Sequence, residues 1–428
     1  MDTIFALASA RGRAGVAVIR VSGPQTKFVA SSMCGGLPVL RQVKLSKIHS
    51  IEGEYLDEAL VLYFESPSSF TGEDVLELHL HGSVAIVDAV LKALAEVDGC
   101  RMAAPGEFTR RALLNGKMDI TQVEGLGDLL EAETELQRRQ AQALSSGDLA
   151  DFVQGIRGKL VRAAALLATV IDFSDEDLPE DVSRETIELL KECSNLLRNQ
   201  VDGYTHAERI RSGFEVAIIG KPNVGKSTLL NAIAKRDAAI TSETAGTTRD
   251  VIEVRMDLKG IPVTLLDTAG LRESKDEVEQ EGISRALARA QDADLRVLLT
   301  ESGERPFDGL KPDDLIVQAK ADEISSESMS VSGKTGKGVD HLVSAITDAL
   351  SERVSLAGLA THERHRSALK SAEKFLNSAG LNMELGDEGC DLAAEDIRST
   401  LAQLDVLIGR VDVENLLDVV FSSFCLGK

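Results

Sequence analysis

The stretch FEVAIIGKPNVGKST, from Phe214 to Thr228, decides the fold of the central part of this 428-residue chain. A short apolar run ends at Gly220, and Gly225-Lys226-Ser227 follows five residues later, ahead of a helical pattern. The order of strand, glycine loop and helix predicts a phosphate-binding loop, because backbone N–H groups in such a loop curl around a phosphate. The lysine then reaches the β- and γ-oxygens, and the serine hydroxyl meets Mg²⁺. An accidental glycine turn is the alternative, and the flanking strand and helix argue against it.

Three downstream motifs indicate that this loop belongs to a GTPase. Asp267-Thr-Ala-Gly270 follows an apolar strand, where an aspartate and a glycine sense the metal and the γ-phosphate. Lys320 and Asp322 match the N-K-x-D pattern, whose aspartate accepts two hydrogen bonds that guanine supplies and adenine cannot. Ala319 replaces the leading asparagine, so we expect guanine selectivity to be kept and nucleotide affinity to be weaker. Ser332-Gly333-Lys334 completes the predicted pocket.

The group that orients the attacking water is less evident from the motifs. Leu271 stands where many small GTPases place a glutamine, and it cannot hydrogen-bond to water. Acids in the following loop, 273–279, are candidates, although a solvated switch loop is the other interpretation of them. The predicted GTP-binding residues are Asn223, Val224, Gly225, Lys226, Ser227, Thr228, Ser242, Glu243, Thr244, Ala245, Gly246, Thr247, Thr248, Asp267, Thr268, Ala269, Gly270, Lys320, Asp322, Ser332, Gly333 and Lys334.

The composition is that of an acidic chain without membrane or secretory features. The net charge is −22, whereas a dedicated nucleic-acid binder has a basic balance, so any RNA contact should be local or shared with a partner. No apolar run approaches the length of a membrane span, and the N-terminus lacks a signal-peptide pattern. Five scattered cysteines without metal spacing fit a reducing compartment. We therefore expect a cytoplasmic protein with no membrane contact.

The patterns along the chain predict four segments. Residues 1–117 carry short β-like runs and one amphipathic helix, which is typical of an α+β domain. Helical patterns fill residues 118–212 and 352–428, and alternating strands and helices fill residues 213–351. The sequence therefore predicts a Ras-like α/β GTPase domain inserted into an all-helical domain, because compact α/β units often have their two ends close together.

At the start of the first helical segment, Thr121 and Glu124 have the spacing of a capping box. The helical pattern then continues over residues 136–149 and 152–173, and it resumes at residue 186. An acidic stretch at 172–181 separates the last two helices, and its spacing matches no EF-hand loop. We expect an interhelical turn there rather than a calcium site.

Charged residues in the N-terminal strands have a plain interpretation when they are taken singly. Arg20 and Glu77 each lie in a predicted strand, where a charged side chain usually belongs to the solvated face. His79 and His81 form a pair that lacks a third metal ligand, so we favour an ordinary structural role for both.

Beyond the GTPase motifs, the chain resembles one family over nearly all of its length. The resemblance is carried by APGEFTRRA at Ala104–Ala112, LNGKMD at Leu114–Asp119, DFSDE at Asp172–Glu176, GTTRD at Gly246–Asp250 and FCLGK at Phe424–Lys428. On these motifs the chain is similar to the bacterial and organellar tRNA-modification GTPases of the MnmE (TrmE) family. The resemblance implies a homodimer, a heterotetramer with the FAD-dependent protein MnmG (GidA), and addition of an aminomethyl or carboxymethylaminomethyl group to carbon five of the wobble uridine of certain tRNAs.

The resemblance also implies that the N-terminal domain mediates dimerisation and binds 5-formyltetrahydrofolate, or a related reduced folate, as the source of the one-carbon unit. The matching positions are Arg20, Glu77, Lys117 and Lys428, which reverses the plain interpretation of the two strand charges. Arg20 and Lys117 suit the folate glutamate carboxylates, and Glu77 suits the pterin N–H groups. Cys425 is the thiol of the C-x-G-K ending, whose glycine and terminal lysine are expected to add little packing.

The resemblance further implies that GTP hydrolysis depends on K⁺. Asn223 of the phosphate loop would hold the ion together with Ser242, Thr244 and Thr247, and the ion would stabilise charge between the β- and γ-phosphates. Two G domains of a dimer would meet across their switch loops, and Glu279 matches the glutamate that positions the attacking water. The predicted catalytic residues are Glu279, Asn223 and Cys425. The predicted Mg²⁺ ligands are Ser227 and Thr248, and Thr247 is the other candidate for the loop threonine.

Two other functions stay open on the sequence. A ribosome-assembly GTPase switch has similar G-domain motifs, but it predicts a basic RNA-binding appendage instead of an acidic helical domain. A nucleotide-dependent scaffold without catalysis predicts negligible hydrolysis even in K⁺. GTP-dependent binding to ribosomal particles or to a flavoprotein would distinguish the first alternative, and the hydrolysis rate would distinguish the second.

Overall fold

The computed structural model describes residues 2–172, 181–236, 253–267, 288–301, 311–320, 329–410, 421 and 427. The chain forms two compact units, one of residues 1–127 with 408–428 and the other of residues 128–407. The end of the chain therefore belongs to the same unit as its start. Two sheets and many helices confirm the predicted combination of α+β, α/β and helical parts. The boundaries at residues 117, 212 and 351 remain predictions.

The first unit is built on one mixed sheet of six strands. The strands are β1 (Thr3–Leu7), β2 (Val16–Ser22), β3 (Lys44–His49), β4 (Tyr55–Phe64), β5 (Val75–His81) and β6 (Cys100–Met102). Their order is β3-β4-β5-β2-β1-β6. Neighbouring strands are antiparallel, except that β1 and β6 are parallel. The central position of β2 and β5 places their facing residues away from both edges of the sheet.

Helices accompany this sheet. They are α1 (Thr26–Met33), α2 (Val84–Ala95), α3 (Glu107–Leu114) and α4 (Ile120–Glu131), of which α4 continues past residue 127. Helices α1, α2 and α3 pack on the sheet. Met33 of α1, Val90 of α2 and Leu78 of β5 are fully buried in one cluster. Each such side chain contributes about 1.5 to 3 kcal/mol by leaving water, so this cluster is the main source of stability in the unit.

Strand β3 escapes sequence prediction because its polarity pattern is reversed at Leu45 and Ser46, although Lys47 and Ile48 follow the ordinary alternation. Leu45 is 61% exposed, whereas Ser46 on the opposite face is 7% exposed. An outward leucine and an inward serine give the reverse of the alternation that predicts a half-buried strand. The strand forms through its pairing with β4, which the local pattern does not show.

Helix α4 is capped by Asp119, so the predicted capping box of Thr121 and Glu124 is wrong. Asp119 Oδ1 accepts the backbone N–H groups of Thr121 at 2.8 Å and Gln122 at 2.9 Å, and the Asp119 N–H donates to Gln122 Oε1 at 3.0 Å. Thr121 lies inside the helix and is fully buried. Aspartate is the stronger N-cap, because its carboxylate satisfies two N–H groups that the helix leaves without partners.

Long helices form the first part of the second unit. The helices of this unit that the structure describes in full are α5 (Glu135–Ser146), α6 (Asp148–Asp172), α7 (Asp181–Ser212), α8 (Lys226–Arg236), α9 (Val339–Val354), α10 (Glu363–Met383) and α11 (Asp387–Leu407). The helical pattern at 136–149 spans most of α5 and the first residues of α6, so it is not a single helix. Gly147, with φ of +101°, ends α5, because glycine adopts the left-handed cap at no steric cost.

A second sheet lies between α7 and α10 in the sequence. Its strands are β7 (Phe214–Gly220), β8 (Glu253–Leu258), β9 (Ile261–Asp267), β10 (Leu295–Thr300) and β11 (Leu315–Gln318). The order is β11-β10-β7-β9-β8, and all neighbours are parallel except β8 and β9. Strands β9 and β10 are buried at every position, as expected for parallel strands covered on both faces. The carboxyl ends of four strands therefore share one edge of the sheet.

The long helices that precede and follow the inserted sheet region in the sequence pack on each other. Helix α10 packs on α7 and α11, and α6 packs on α7 and α11. A Cβ at Gly203 of α7 would lie 2.7 Å from the backbone nitrogen of Gly358, so a glycine lets the returning chain run close to this helix. In the described part of the chain, no helix has both the length and the apolar character that a membrane span requires.

Candidate functional site

The loop after β7 has the backbone shape of a phosphate-binding loop. Gly220 and Gly225 have φ of +155° and +111°, and Asn223 between them has φ of +62°. A Cβ at Gly220 would press on the carbonyl oxygen of Leu299, so the position requires glycine. Asparagine tolerates the left-handed region better than most residues, which gives Asn223 a conformational reason to be there. Helix α8 begins at Lys226 and presents its first N–H groups at the loop.

Lys226 is held by the backbone of this loop. The residue is 6% exposed, and its Nζ donates to the carbonyl oxygens of Gly220 at 2.8 Å and Lys221 at 3.0 Å. Burial lowers the pKa of the ammonium, and the Asp267 carboxylate opposes this shift. The lysine is therefore positioned as a cation for phosphate oxygens by the loop itself.

Ser227 and Asp267 meet beside the loop. Ser227 Oγ donates to Asp267 Oδ2 at 2.7 Å, and Asp267 is 2% exposed at the end of β9. Strand β9 runs parallel to β7 with Asp267 opposite Ile218, which brings the two motifs to the same edge of the sheet. A hydroxyl and a carboxylate are hard oxygen donors of the kind that Mg²⁺ prefers. The pair therefore fits a magnesium site, where the ion would neutralise charge on the phosphate oxygens.

The guanine-reading motif starts at the ends of β10 and β11. The N–H of Ala319 donates to the carbonyl oxygen of Thr300 at 2.7 Å, which extends the pairing of the two strands. Ala319 is 4% exposed and belongs to the core of this part of the chain. Lys320 has φ of +61°, and its Nζ donates to Glu301 Oε1 at 3.0 Å. The described part of the motif is therefore tied to the end of β10.

Residues 332–334 lie against the start of α8. A Cβ at Gly333 would lie 2.8 Å from the backbone nitrogen of Leu229 and 2.8 Å from the carbonyl carbon of Thr228. Ser332 is 2% exposed, and its Oγ accepts the N–H of Thr335 at 3.2 Å. This loop and the phosphate loop therefore pack together, and a larger residue at Gly333 would separate them.

Several predicted residues of the nucleotide site lie outside the described residues. They are Ser242, Glu243, Thr244, Ala245, Gly246, Thr247, Thr248, Thr268, Ala269, Gly270, Glu279 and Asp322. Their predicted roles toward Mg²⁺, K⁺, water and guanine stay predictions. Among the described residues, Lys226, Ser227 and Asp267 come together as one group, and Gly333 adjoins Thr228.

A second polar group lies in the first unit, where Arg20 and Glu77 form an ion pair. The two residues are opposite each other on β2 and β5, and Arg20 Nη2 is 2.9 Å from Glu77 Oε1. The guanidinium lies 5.5 Å from the ring centroid of Phe70 and 5.7 Å from that of Phe108. His79 Nε2 is 3.4 Å from Glu77 Oε2. Phe108 is fully buried and Phe70 is exposed, so the paired charges together with the Phe70 ring suit a flat ligand with its own donors and acceptors.

The C-terminal tail reaches this group through Gly427. The residue is buried with φ of +96°, and its carbonyl oxygen accepts a hydrogen bond from Arg20 Nη1 at 3.4 Å. A Cβ there would lie 2.8 Å from Ala8 Cα and closer still to the carbonyl oxygen of Leu7. The expectation that this glycine adds little packing is therefore wrong, because only glycine allows the tail so close to β1.

The other residues of the predicted folate site are placed less fully. Lys117 is exposed, and its Cε lies 3.2 Å from where a Cβ on Gly72 would be. Cys425 and Lys428 lie outside the described residues, so their roles stay predictions. The structure therefore joins Arg20, Glu77 and Gly427, and the full set of folate ligands stays a prediction.

Sequence reasoning missed several residues around both groups. Phe108 lies inside the APGEFTRRA motif, so the motif itself could have indicated it. Phe70 lies in an irregular stretch without a periodic pattern, and no local signal points to it. Gln318 donates from Nε2 to the carbonyl oxygen of Glu301 at 3.1 Å, and neither residue belongs to a recognised motif. Such residues are found only through their contacts.

Comparison with known proteins gives consistent matches over the whole chain. Residues 3–117 match the family model described as GTP-binding protein TrmE N-terminus, and residues 120–425 match the one described as MnmE helical domain. The tRNA modification GTPase MnmE of Roseobacter denitrificans is 55% identical over 428 residues, and that of Ruegeria pomeroyi is 56% identical over 428 residues. Both alignments cover 100% of this chain and of the relative.

A match among solved structures concerns only part of the chain. The G domain of the T. maritima FeoB iron transporter covers 32% of this chain and 98% of its own length, with 24% sequence identity. The TM-score is 0.24, so this likeness carries no argument about function.

Proposed function

The chain belongs to the MnmE family of tRNA modification GTPases, and on that premise we propose that it hydrolyses GTP as part of tRNA modification. The observation that carries the proposal is the hydrogen bond between Ser227 and Asp267, next to a Lys226 held by the carbonyl oxygens of its own loop, in a chain that is 55% identical to such a GTPase over its whole length. A lysine placed for the β- and γ-oxygens and a serine bonded to an aspartate are what a GTPase requires to hold a metal-bound triphosphate.

In the proposed hydrolysis, the protein works mainly by positioning and by stabilising charge. The backbone of residues 223–228 and the ammonium of Lys226 bind the phosphates, while Ser227 and Thr248 supply oxygen ligands for Mg²⁺. Glu279 positions the attacking water, directly or through a second water, because Leu271 has no polar group for this task. The described contacts of Lys226 and Ser227 support the first two roles.

We propose that K⁺ assists the same step. Asn223 would bind the ion with Ser242, Thr244 and Thr247, and the ion would offset the charge that builds between the β- and γ-phosphates. Asn223 is exposed at the tip of the phosphate loop, in the left-handed conformation, which supports its availability as an oxygen ligand.

The modification itself is proposed to take place on carbon five of the wobble uridine. The chain would act there with the FAD-dependent MnmG, and a reduced folate bound by Arg20, Glu77, Lys117 and Lys428 would supply the one-carbon unit. The ion pair beside two aromatic rings supports a folate, because folates combine a flat pterin with terminal carboxylates. The contact of Gly427 with Arg20 supports a position of the tail, with Cys425, next to this ligand.

A homodimer is also proposed, with the edge of the first sheet as part of its interface. The edge hairpin of β3 and β4 carries exposed apolar side chains on or next to it. They are Tyr55 (56% exposed), Leu45 (61%) and Val43 (57%). Exposed apolar side chains gathered on a sheet edge mark an interaction surface, because an uncovered edge strand invites pairing. A tRNA substrate and scattered cysteines support the cytoplasm as the location.

The decisive experiment is deletion of the gene followed by mass analysis of wobble uridines in bulk tRNA. We expect the C5-modified uridines to disappear, to return with the wild-type chain and to stay absent with Ser227→Ala. A Lys370→Ala variant, which changes an exposed residue of α10 outside both groups, serves as the control and should restore modification. Unchanged wobble uridines together with GTP-dependent binding to ribosomal particles would favour the ribosome-assembly switch instead.

A further inference from the structure

The guanine-reading motif of this chain lacks the side chain that normally braces it. Ala319 occupies the position of the asparagine, and its methyl group is packed into the core at 4% exposure. An alanine offers no side-chain donor or acceptor, so any side-chain bracing of this motif has to come from elsewhere. The residues before and beside Ala319 show where it comes from.

Gln318 ties the end of β11 on both sides. Its N–H donates to the carbonyl oxygen of Met329 at 2.9 Å, and its own carbonyl oxygen accepts from Val331 at 2.8 Å. Its side chain bonds to the residue that follows β10, because Nε2 donates to the carbonyl oxygen of Glu301 at 3.1 Å. With 6% exposure, this amide is nearly buried, so its hydrogen bond is poorly replaced by water.

Glu301 is held to the motif twice. Its backbone carbonyl oxygen accepts a hydrogen bond from the Gln318 side-chain amide, and its carboxylate accepts one from the Lys320 ammonium at 3.0 Å. The hydrogen bond from Lys320 lowers the pKa of the Glu301 carboxyl, which keeps it ionised. The ion pair is 49% exposed at the lysine and 67% at the glutamate, so water screens it strongly. The buried amide contact is therefore the stronger of the two.

We propose that Gln318, through the backbone of Glu301, is a positioning residue that braces the guanine-reading motif in place of the asparagine missing at position 319. Lys320, two residues after Gln318, has a left-handed backbone conformation that must be maintained for the motif to keep its shape. The inference rests on the proposed guanine site. It replaces the expectation of a simply weakened site with a compensating contact that this chain carries.

The test is Gln318→Met, which keeps the length of the side chain and removes its amide. Affinities for GDP and for IDP, which lacks the exocyclic amine of guanine, are measured by calorimetry on the full chain. We expect GDP to bind about fivefold more weakly and IDP to change less, because one buried hydrogen bond is lost and the guanine contacts loosen. The KM for GTP should rise by a similar factor, while kcat falls less than about twofold.

Two controls separate positioning from general stability. Gln140→Met removes a comparable contact, from Gln140 Nε2 to the carbonyl oxygen of Ala207 at 2.9 Å, in the helical part of the chain. It should lower the melting temperature to a similar degree and leave the ratio of GDP to IDP affinity unchanged. Glu301→Ala keeps the backbone carbonyl and loses only the screened ion pair, so GDP affinity should fall less than about twofold.

Restoring the asparagine completes the experiment. Ala319→Asn introduced into the Gln318→Met variant should recover most of the GDP affinity, because the usual brace returns. A Gln318→Met variant that loses thermal stability but keeps the GDP affinity and the GDP to IDP ratio of the parent would overturn the inference. A parent chain that binds GDP no better than IDP or ADP would instead refute the proposed guanine site.

Discussion

The surroundings of Arg20 and Glu77 in the structure differ from those that the sequence predicts for each residue alone. In the sequence, each is a charged residue in a strand, where solvent is the expected neighbour. In the structure, their side chains are 17% and 19% exposed, they bond to each other, and Phe108 lies beside them. A largely buried ion pair contributes little to stability after desolvation, so the pair is compatible with the proposed ligand site.

The first prediction concerns Glu77. Glu77→Gln keeps the size of the side chain and removes the charge that pairs with Arg20. We expect binding of 5-formyltetrahydrofolate to weaken by about tenfold or more, because hydrogen bonds to charged groups contribute about 1.5 to 3 kcal/mol. Calorimetric titration measures this, and Glu58→Gln, an exposed acid of β4, is the matched control. An unchanged folate affinity in the Glu77 variant would remove this residue from the site.

The second prediction concerns Gly427. Gly427→Ala introduces a Cβ against Leu7 and Ala8 at a φ that alanine avoids, which costs about 1 to 3 kcal/mol. The tail should then leave β1 often enough for carboxypeptidase to remove it roughly tenfold faster. Gly380→Ala, on α10 with open space around it, should leave that rate as it is. Equal digestion rates for the Gly427 variant and the parent would show that the tail is not held there.

At the scale of elements, the structure separates predictable strands from unpredictable ones. Strands β7 and β9 are largely apolar, because parallel strands are buried on both faces, and their sequences predict them. Strand β3 has an outward leucine and an inward serine at its start, so the first half of its pattern contradicts its structure. The first residue of a helix is also hard to predict from sequence. Both Asp119 and Thr121 are residue types that favour the N-cap position. Backbone contacts decide between them.

The third prediction tests the cap of α4. Asp119→Ala removes the acceptor for two N–H groups of the first turn and should lower the free energy of unfolding of this part by about 1 kcal/mol. Asp119→Asn retains a capping oxygen and should cost only a fraction of that amount. The midpoint of urea denaturation, followed by circular dichroism, measures both variants. A Thr121→Ala variant that costs more than Asp119→Ala would point back to the capping box read from the sequence.

At the scale of the whole molecule, the chain brings together residues that are far apart in sequence. Arg20 and Gly427 are separated by 407 positions and share a hydrogen bond. In the second unit, the helical segments before and after the inserted sheet pack together through α7 and α10. The proposed ion dependence also belongs to this scale, because it draws ligands from the phosphate loop and from a separate segment of the G domain.

The fourth prediction is that GTP turnover requires K⁺. Replacing K⁺ by Na⁺ at equal ionic strength should reduce kcat by at least about tenfold. The proposed K⁺ would stabilise the charge that builds between the β- and γ-phosphates, as an arginine finger does in other GTPases. Nucleotide binding should change little, because the loop and Lys226 hold the phosphates in either salt. Asn223→Gly keeps the left-handed backbone while it removes the amide oxygen, and it should make turnover equally slow in both salts. Equal turnover of the parent in K⁺ and Na⁺ would refute the role of the ion.

The family of this chain and its GTPase activity follow from short motifs that are visible in the sequence alone. The phosphate loop and the predicted metal and guanine motifs each lie beside one strand end, so their spacing along the chain is enough to predict them. Only the tertiary structure decided that Arg20 pairs with Glu77, that Gly427 lies on β1, and that Gln318 holds Glu301. The physical reason is that these contacts join separate strands, or the two ends of the chain, and a contact between distant residues leaves no periodic pattern in the sequence around either partner.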